Sequence, residues 1–368
     1  MSRSWVLMML CAIALWMSND AMAQAIDDDD MGAAQEACED VAEALREACL
    51  DAEIAKLERV LIARRAYQGW LADRLVEDGG ARNLALAVYL RRSALAMSAA
   101  IDEATPSAEK ADGLLSAWMD AARADAGHDG VAWSLLASTA GSKGKQHLQG
   151  DDIARAWAEA EPDNLTPLLI LMRGNDDADK VFASLDSRPR HAIYWGEVQA
   201  LGLHAVERHP PKAEWRDDIP EFSNDGYEAF GAGLVSLLTL PSYQYILAAC
   251  KPPLIDIPDR RAQCHRLGSM LQDDADTLIG NFIGNALMRN SAGSGTERAA
   301  AETARNRLRW LQSQAQAYQG PAYEAAYRAA LREGSSFDER TLIERTLQAL
   351  GASPEPPDDW VPDVVSPK

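Results

Sequence analysis

No segment of the 368-residue chain alternates apolar and polar residues with a period of two over a useful length, so β-structure is expected to be minor. After residue 23 no run is apolar enough for long enough to form a membrane helix, and no membrane span is expected in the mature chain. Positive charge is also short: 36 lysines and arginines stand against 56 aspartates and glutamates, a formal net charge of −20. Such a surface repels nucleic-acid phosphates and anionic lipid headgroups, so neither is an expected partner. The acidic excess is spread along the chain apart from residues 27–30, and a run of four acids in a tail is ordinarily solvated.

Signals of catalysis are missing as well. There is no G-x-S-x-G elbow: Ala292-Gly293-Ser294-Gly295 is a flexible break. Gly231-Ala232-Gly233 lies in an apolar helical stretch with no strand before it, which does not make a phosphate-cradling loop. The six histidines are His128, His147, His191, His204, His209 and His265, read as ordinary surface residues. His204 and His209 are five apart, not the i, i+4 of a metal-binding helix, and no Glu follows the first in the required place. Cys264 and His265 are adjacent, but neighbouring helical side chains diverge by about 100°, and a disulfide sulfur is no nucleophile. No carboxylate pair stands out. The sequence therefore nominates no catalytic residue, metal ligand or cofactor.

What is present begins at the N-terminus. Arg3, the apolar run 5–17, the polar break 18–20 and Ala21-Met22-Ala23 follow the order of a secretory signal peptide, with cleavage expected after Ala23. The expected organisation is a signal at 1–23, a disordered acidic lead-in at 24–32, an N-terminal helical repeat region at 33–209, a linker at 210–220, a C-terminal helical region at 221–351 and a proline-rich tail at 352–368. A periplasmic or secreted protein is expected to oxidise its cysteines. Of the four that remain after cleavage, Cys250 and Cys264 flank a proline-rich turn and are favoured as a disulfide. Cys38 and Cys49 would lie about 16 Å apart along an unbroken helix, beyond disulfide reach. Either that helix breaks between them, each pairs elsewhere, or both are free.

Apolar residues recur at threes and fours almost throughout, giving an all-α expectation. Helices are expected from 33 to about 76 with Gly69 as a potential break, over 82–101, over 191–208 with Tyr194 inward, and over one long span carrying Cys264, Leu267, Leu271, Ala275, Leu278 and Phe282. In residues 128–174, Trp133, Leu136, Ala137 and Ala140 share the i, i+3, i+4, i+7 template with Ile153, Ala156, Trp157 and Ala160. Pro162 closes this unit 29 residues after Trp133, followed by Asp163-Asn164. The stretch resembles a degenerate tetratricopeptide repeat. It departs from that pattern where Trp157 holds a small-residue position and Ala140 an aromatic one. The resemblance implies a right-handed stack of antiparallel helix pairs, a TPR-like α-solenoid, whose concave face binds a peptide or protein. It implies no catalysis.

Trp70, Trp118, Trp133, Trp157 and Trp195 lie on or beside apolar helical faces and read as core. Trp215 and Trp360 instead stand in polar, proline-containing segments, where each would anchor its segment or mark a partner surface. The expectation is an exported scaffold binding a protein or peptide in the cell envelope. The alternatives are a helical hydrolase or lyase acting on an envelope polymer, and an inhibitor or immunity protein against a secreted toxin.

Overall fold

The computed structural model describes residues 37–38, 41, 43–101, 108–139, 145–172, 175–216, 219, 240–334, 337–357, 360 and 362. The expected signal peptide and acidic lead-in, most of the start of the second half (221–239) and the end of the tail lie outside these residues. In chain order the helices are α1 (Glu43–Asp78), α2 (Ala81–Ile101), α3 (Ala108–Ala126), α4 (Gly130–Thr139), α5 (Lys145–Ala160), α6 (Thr166–Leu171), α7 (Asn175–Ser184), α8 (Trp195–Arg208) and α9 (Ala213–Arg216). After them come α10 (Gln244–Ala249), a 3₁₀ turn (Leu254–Asp256), α11 (Arg260–Asp274), α12 (Leu278–Ser291), α13 (Gly295–Ala317), α14 (Pro321–Glu333) and α15 (Glu339–Ala349). Among the described residues there is no strand, only one isolated bridge between Asn164 and Arg190, so the chain is all-α. No helix of the described residues is long and apolar enough to cross a membrane.

The chain divides into two compact units. One takes its described residues from within 1–127, 138–147 and 201–237, the other from 128–137, 148–200 and 238–368.

In the first unit, α1 runs through Gly69 without a break. A Cβ there would come within 3.2 Å of Arg91 Nη1, so the glycine makes room for a guanidinium that pairs with Asp73 and sits 5.4 Å from the centroid of Trp118. Tyr67, Leu71 and Leu75 recur every four residues on the buried face of α1. Gly79 and Gly80, with φ of 70° and 81°, end the helix in the left-handed region and turn the chain into α2, which packs on α1 and α3. Cys38 sits in a turn ahead of α1 while Cys49 is inside it, so the helix does end between them. The two are disulfide-bonded, with Cα atoms 6.0 Å apart.

In the second unit, His128 Nδ1, just ahead of α4, lies 2.6 Å from Ala160 O at the end of α5. Trp133, Leu136, Ile153 and Trp157 are buried, and Ala154 and Ala158, not Ala156 and Ala160, complete the inner face of α5.

The expected single helix across residues 264–282 is instead a hairpin of α11 and α12. Three contacts explain the break. Thr277 is extended and its side chain accepts from Gly280 N. Asn281 Nδ2 donates to the carbonyls of Leu271, Gln272 and Ala275 at the end of α11. The folded-back helices touch backbone to backbone: a Cβ on Gly284 would lie 2.3 Å from Gln272 N, and one on Gly268 2.9 Å from Met288 N. Fine periodicity of apolar residues is the same in a hairpin of two helices as in one long helix, because both present their apolar stripe at threes and fours.

A core of Leu165, Leu169, Phe182, Ile246, Leu267 and Leu271 includes the bonded Cys250 and Cys264, whose sulfurs are 2.02 Å apart. A second cluster joins Leu308 and Leu311 of α13 to Ile343 and Leu347 of α15. Full burial of each such leucine or isoleucine contributes about 1.5–3 kcal/mol.

Candidate functional site

Trp215 belongs to the first unit. Its segment follows Pro210-Pro211 and forms the single turn α9, which packs on α1. Its ring centroid lies 5.5 Å from that of Trp70 and 5.7 Å from that of Tyr67. Lys212 Nζ stands 5.0 Å from the Trp215 centroid and 5.6 Å from that of Trp70. Tyr67 is buried and its hydroxyl donates to His209 O at 2.9 Å, whereas Trp70 and Trp215 remain half-buried. Beneath them Asp78, the last residue of α1, accepts from His209 Nε2 at 2.8 Å and from Arg208 Nη1 at 2.9 Å. The hydrogen bond from His209 is the largest influence and, with the lesser contribution of Arg208, holds its carboxyl below the usual range against the cost of burial. The arrangement fixes two indoles and a cation at a surface. Chemically it can bind.

Trp360 belongs to the second unit, where its ring lies edge-on to Trp310 at 5.4 Å. Trp310 Nε1 donates to Ser353 O at 3.1 Å, and Arg307 reaches Glu355 at 2.6 Å. These contacts fasten the described part of the tail to α13. Trp310, on the polar flank of an alanine- and arginine-rich helix, carries no sequence signal that marks it as the partner of a residue fifty positions on.

Sequence reasoning also missed a polar junction in the second unit. Helix α8 was expected from 191 but starts at Trp195, because Tyr194 adopts φ 61°, a left-handed value that ends any helical run. Its ring lies against Gly130, where a Cβ would come within 2.2 Å of it, and its hydroxyl bonds Glu161 and accepts from Arg190 Nη1 at 2.9 Å. Glu161 also accepts from Trp157 Nε1 at 2.6 Å and Asn164 Nδ2 at 3.2 Å, so the Glu-Pro-Asp-Asn turn is the hub of this loop.

The carboxylate of Asp276 meets the same loop from the α11–α12 turn. Its Oδ2 accepts from Ile193 N at 2.8 Å and Trp195 N at 3.2 Å, while the enclosed Oδ1 has no partner among the described residues. Glu339, at the start of α15, accepts from Leu278 N at 2.7 Å and donates its own backbone N–H to Asp276 O at 3.0 Å. Removal from water raises both carboxyls to about 7, only partly offset by the backbone donors, and each is raised further by neighbouring acids: Glu197 for Asp276, Asp276 and Asp338 for Glu339. Tyr327 donates to Gln199 at 2.6 Å, and burial drives its hydroxyl and that of Tyr323 upward. His191, expected at the surface, is fully buried beside Tyr243 at 2.9 Å, and desolvation lowers it to about 4. The two carboxylates serve as caps: Asp276 gathers the amides that open α8, Glu339 the amide that opens α12.

No group of three or more potential metal ligands occurs among the described residues. No family model, no curated protein and no solved structure matches the chain.

Proposed function

We propose that the chain is an exported α-helical scaffold that captures a protein or peptide partner in the cell envelope, with its helix pairs stacked in the right-handed manner of tetratricopeptide-like repeats. The observation that carries this reading is the half-buried pair Trp70 and Trp215 with Lys212 beside both rings. Partner anchors are typically tryptophan, tyrosine and arginine side chains already held in one conformation, because little rotamer entropy is then lost on binding. Export is supported by the signal-like N-terminus and by two disulfides, which persist in oxidising compartments.

The test is affinity purification of residues 24–368 from an envelope fraction, with Trp215→Ala as the comparison. The expected result is a defined partner whose affinity falls at least about tenfold in the variant, with the helical circular dichroism retained. Turnover of a cell-wall polymer with no recovered partner would replace this reading by the hydrolase one. A secreted toxin as the partner would specify the scaffold as an inhibitor.

A further inference from the structure

In a chain of net charge −20, one cavity of the second unit is cationic. About 270 Å³ in volume, it is lined by Lys251, Pro252, Arg289, Asn290 and Arg298. Three different elements supply the cations, and the backbone that carries each is fixed by packing or a disulfide. Lys251 directly follows Cys250, which the disulfide ties to Cys264 in α11. Arg289 lies in the last turn of α12, clamped to α11 through Gly268 and Gly284. Arg298 opens α13, which packs on α12 after the short link 292–294.

The nearby acids are already engaged, one of them with a lining cation. Glu297 accepts from Gly293 N at 2.7 Å while its own amide bonds Ser294, so it completes the start of α13. Glu302 is shared between Arg289 at 3.5 Å and Arg305 at 3.8 Å. Lys251 and Arg298 are exposed and have no acidic partner among the described residues. Burial first, then the like charges of Arg309 and Arg289, lower the guanidinium of Arg305, which fits a positive charge that this region does not neutralise.

We propose that this cavity binds a compact oxyanion of the phosphate class, either free or as the phosphomonoester of a larger ligand. Guanidinium groups match such an oxyanion with two parallel N–H donors, and the lysine adds a point charge. Of the three lining cations only Arg289 has an acid, Glu302, beside it, so an oxyanion able to carry two negative charges suits the cavity better than a single carboxylate. The volume sits just below the usual range for small-molecule sites, about 300–1,000 Å³, which suits a phosphate with a few attached atoms. This site is independent of the aromatic surface around Trp215.

The experiment is isothermal titration of the folded chain, residues 24–368, with inorganic phosphate, sn-glycerol 3-phosphate and acetate. Lys251→Ala, Arg298→Ala and, as a net-charge control, Arg59→Ala are titrated alongside. Saturable 1:1 binding of phosphate but not acetate is expected, weakened about tenfold or more by Lys251→Ala and by Arg298→Ala and unchanged by Arg59→Ala. Tighter binding of the ester than of phosphate would mark a larger ligand as the source; equal binding would mark the free ion. Absence of saturable binding of both phosphate and its ester overturns the proposal. So does a loss that Arg59→Ala reproduces, or binding that neither pocket variant weakens. Both pocket side chains are exposed, and thermal melting of each variant establishes that it is folded.

Discussion

Asp78 and Asp276 are the same residue in opposite settings. Asp78 closes α1 in the first unit with a histidine and an arginine on one oxygen, and its carboxyl is lowered. Asp276 opens α8 in the second unit with backbone amides alone and acids for neighbours, and its carboxyl is raised to about 7. Amide donors can satisfy a carboxylate oxygen without neutralising its charge, so burial wins at Asp276. At Asp78 little burial opposes two charged or chargeable donors. A surface latch and a buried cap can therefore be built from one side chain, and they should respond to mutation and pH with opposite signs.

The largest effect that would sharpen this contrast is steric. Gly284→Ala places a methyl 2.3 Å from Gln272 N and 2.8 Å from Leu271 C, backbone atoms that cannot step aside. It should destabilise the chain by about 3 kcal/mol, read as a lower urea midpoint. An unchanged midpoint would show that the α11–α12 contact is loose.

Next is Asp276→Asn, which keeps an oxygen acceptor for the two amides and removes the charge. In the folded chain Asp276 holds its proton up to about 7 instead of the ordinary 3.8. Its contribution is thus fully present at acid pH and is lost as pH rises through that window. Glu339 acts with the same sign between 4.5 and about 7. His191, lowered from 6.5 to about 4, acts oppositely and costs stability as pH falls. The informative quantity is therefore the difference between variant and parent. The variant should gain on the order of 2 kcal/mol relative to the parent between pH 4 and pH 8. Parallel curves across that range would refute the buried-charge account.

In the first unit the effects are smaller. Gly79→Ala meets open space but keeps a left-handed φ of 70°, and should cost about 1 kcal/mol. Asp78→Asn should cost less than about 1 kcal/mol, shrink with added salt, and matter only above the ordinary carboxylate range, the contribution being lost below about pH 3.8. A loss as large as that of Gly284→Ala would erase the distinction between latch and cap.

The elements differ in how readable they were. The end of α1 near residue 76, the span of α2 over about 82–101 and the bonded Cys250 and Cys264 all follow from residues acting on their own neighbours. The α11–α12 hairpin was not readable, because Thr277 and Asn281 are weak local signals until a second helix lies close enough for Gly268 and Gly284 to matter. Trp215 was legible as an aromatic out of place. Its companions Trp70, Tyr67 and Lys212 were not, since a residue 145 positions earlier supplies half of the cluster. Asp276 and Glu339 were two acids among 56.

Sequence alone determined that the described part of this chain is built from helices without strands, where most of those helices stop, and that a pair of cysteines flanks a turn. These properties depend on contacts a few residues apart, governed by helix period, glycine and proline. Tertiary packing decided the rest: where the helical stripe folds back at residue 276, which acids lose their water, and which cations are left without an acid. Desolvation and charge pairing depend on what lies within a few ångströms in space, and no spacing along the chain encodes that.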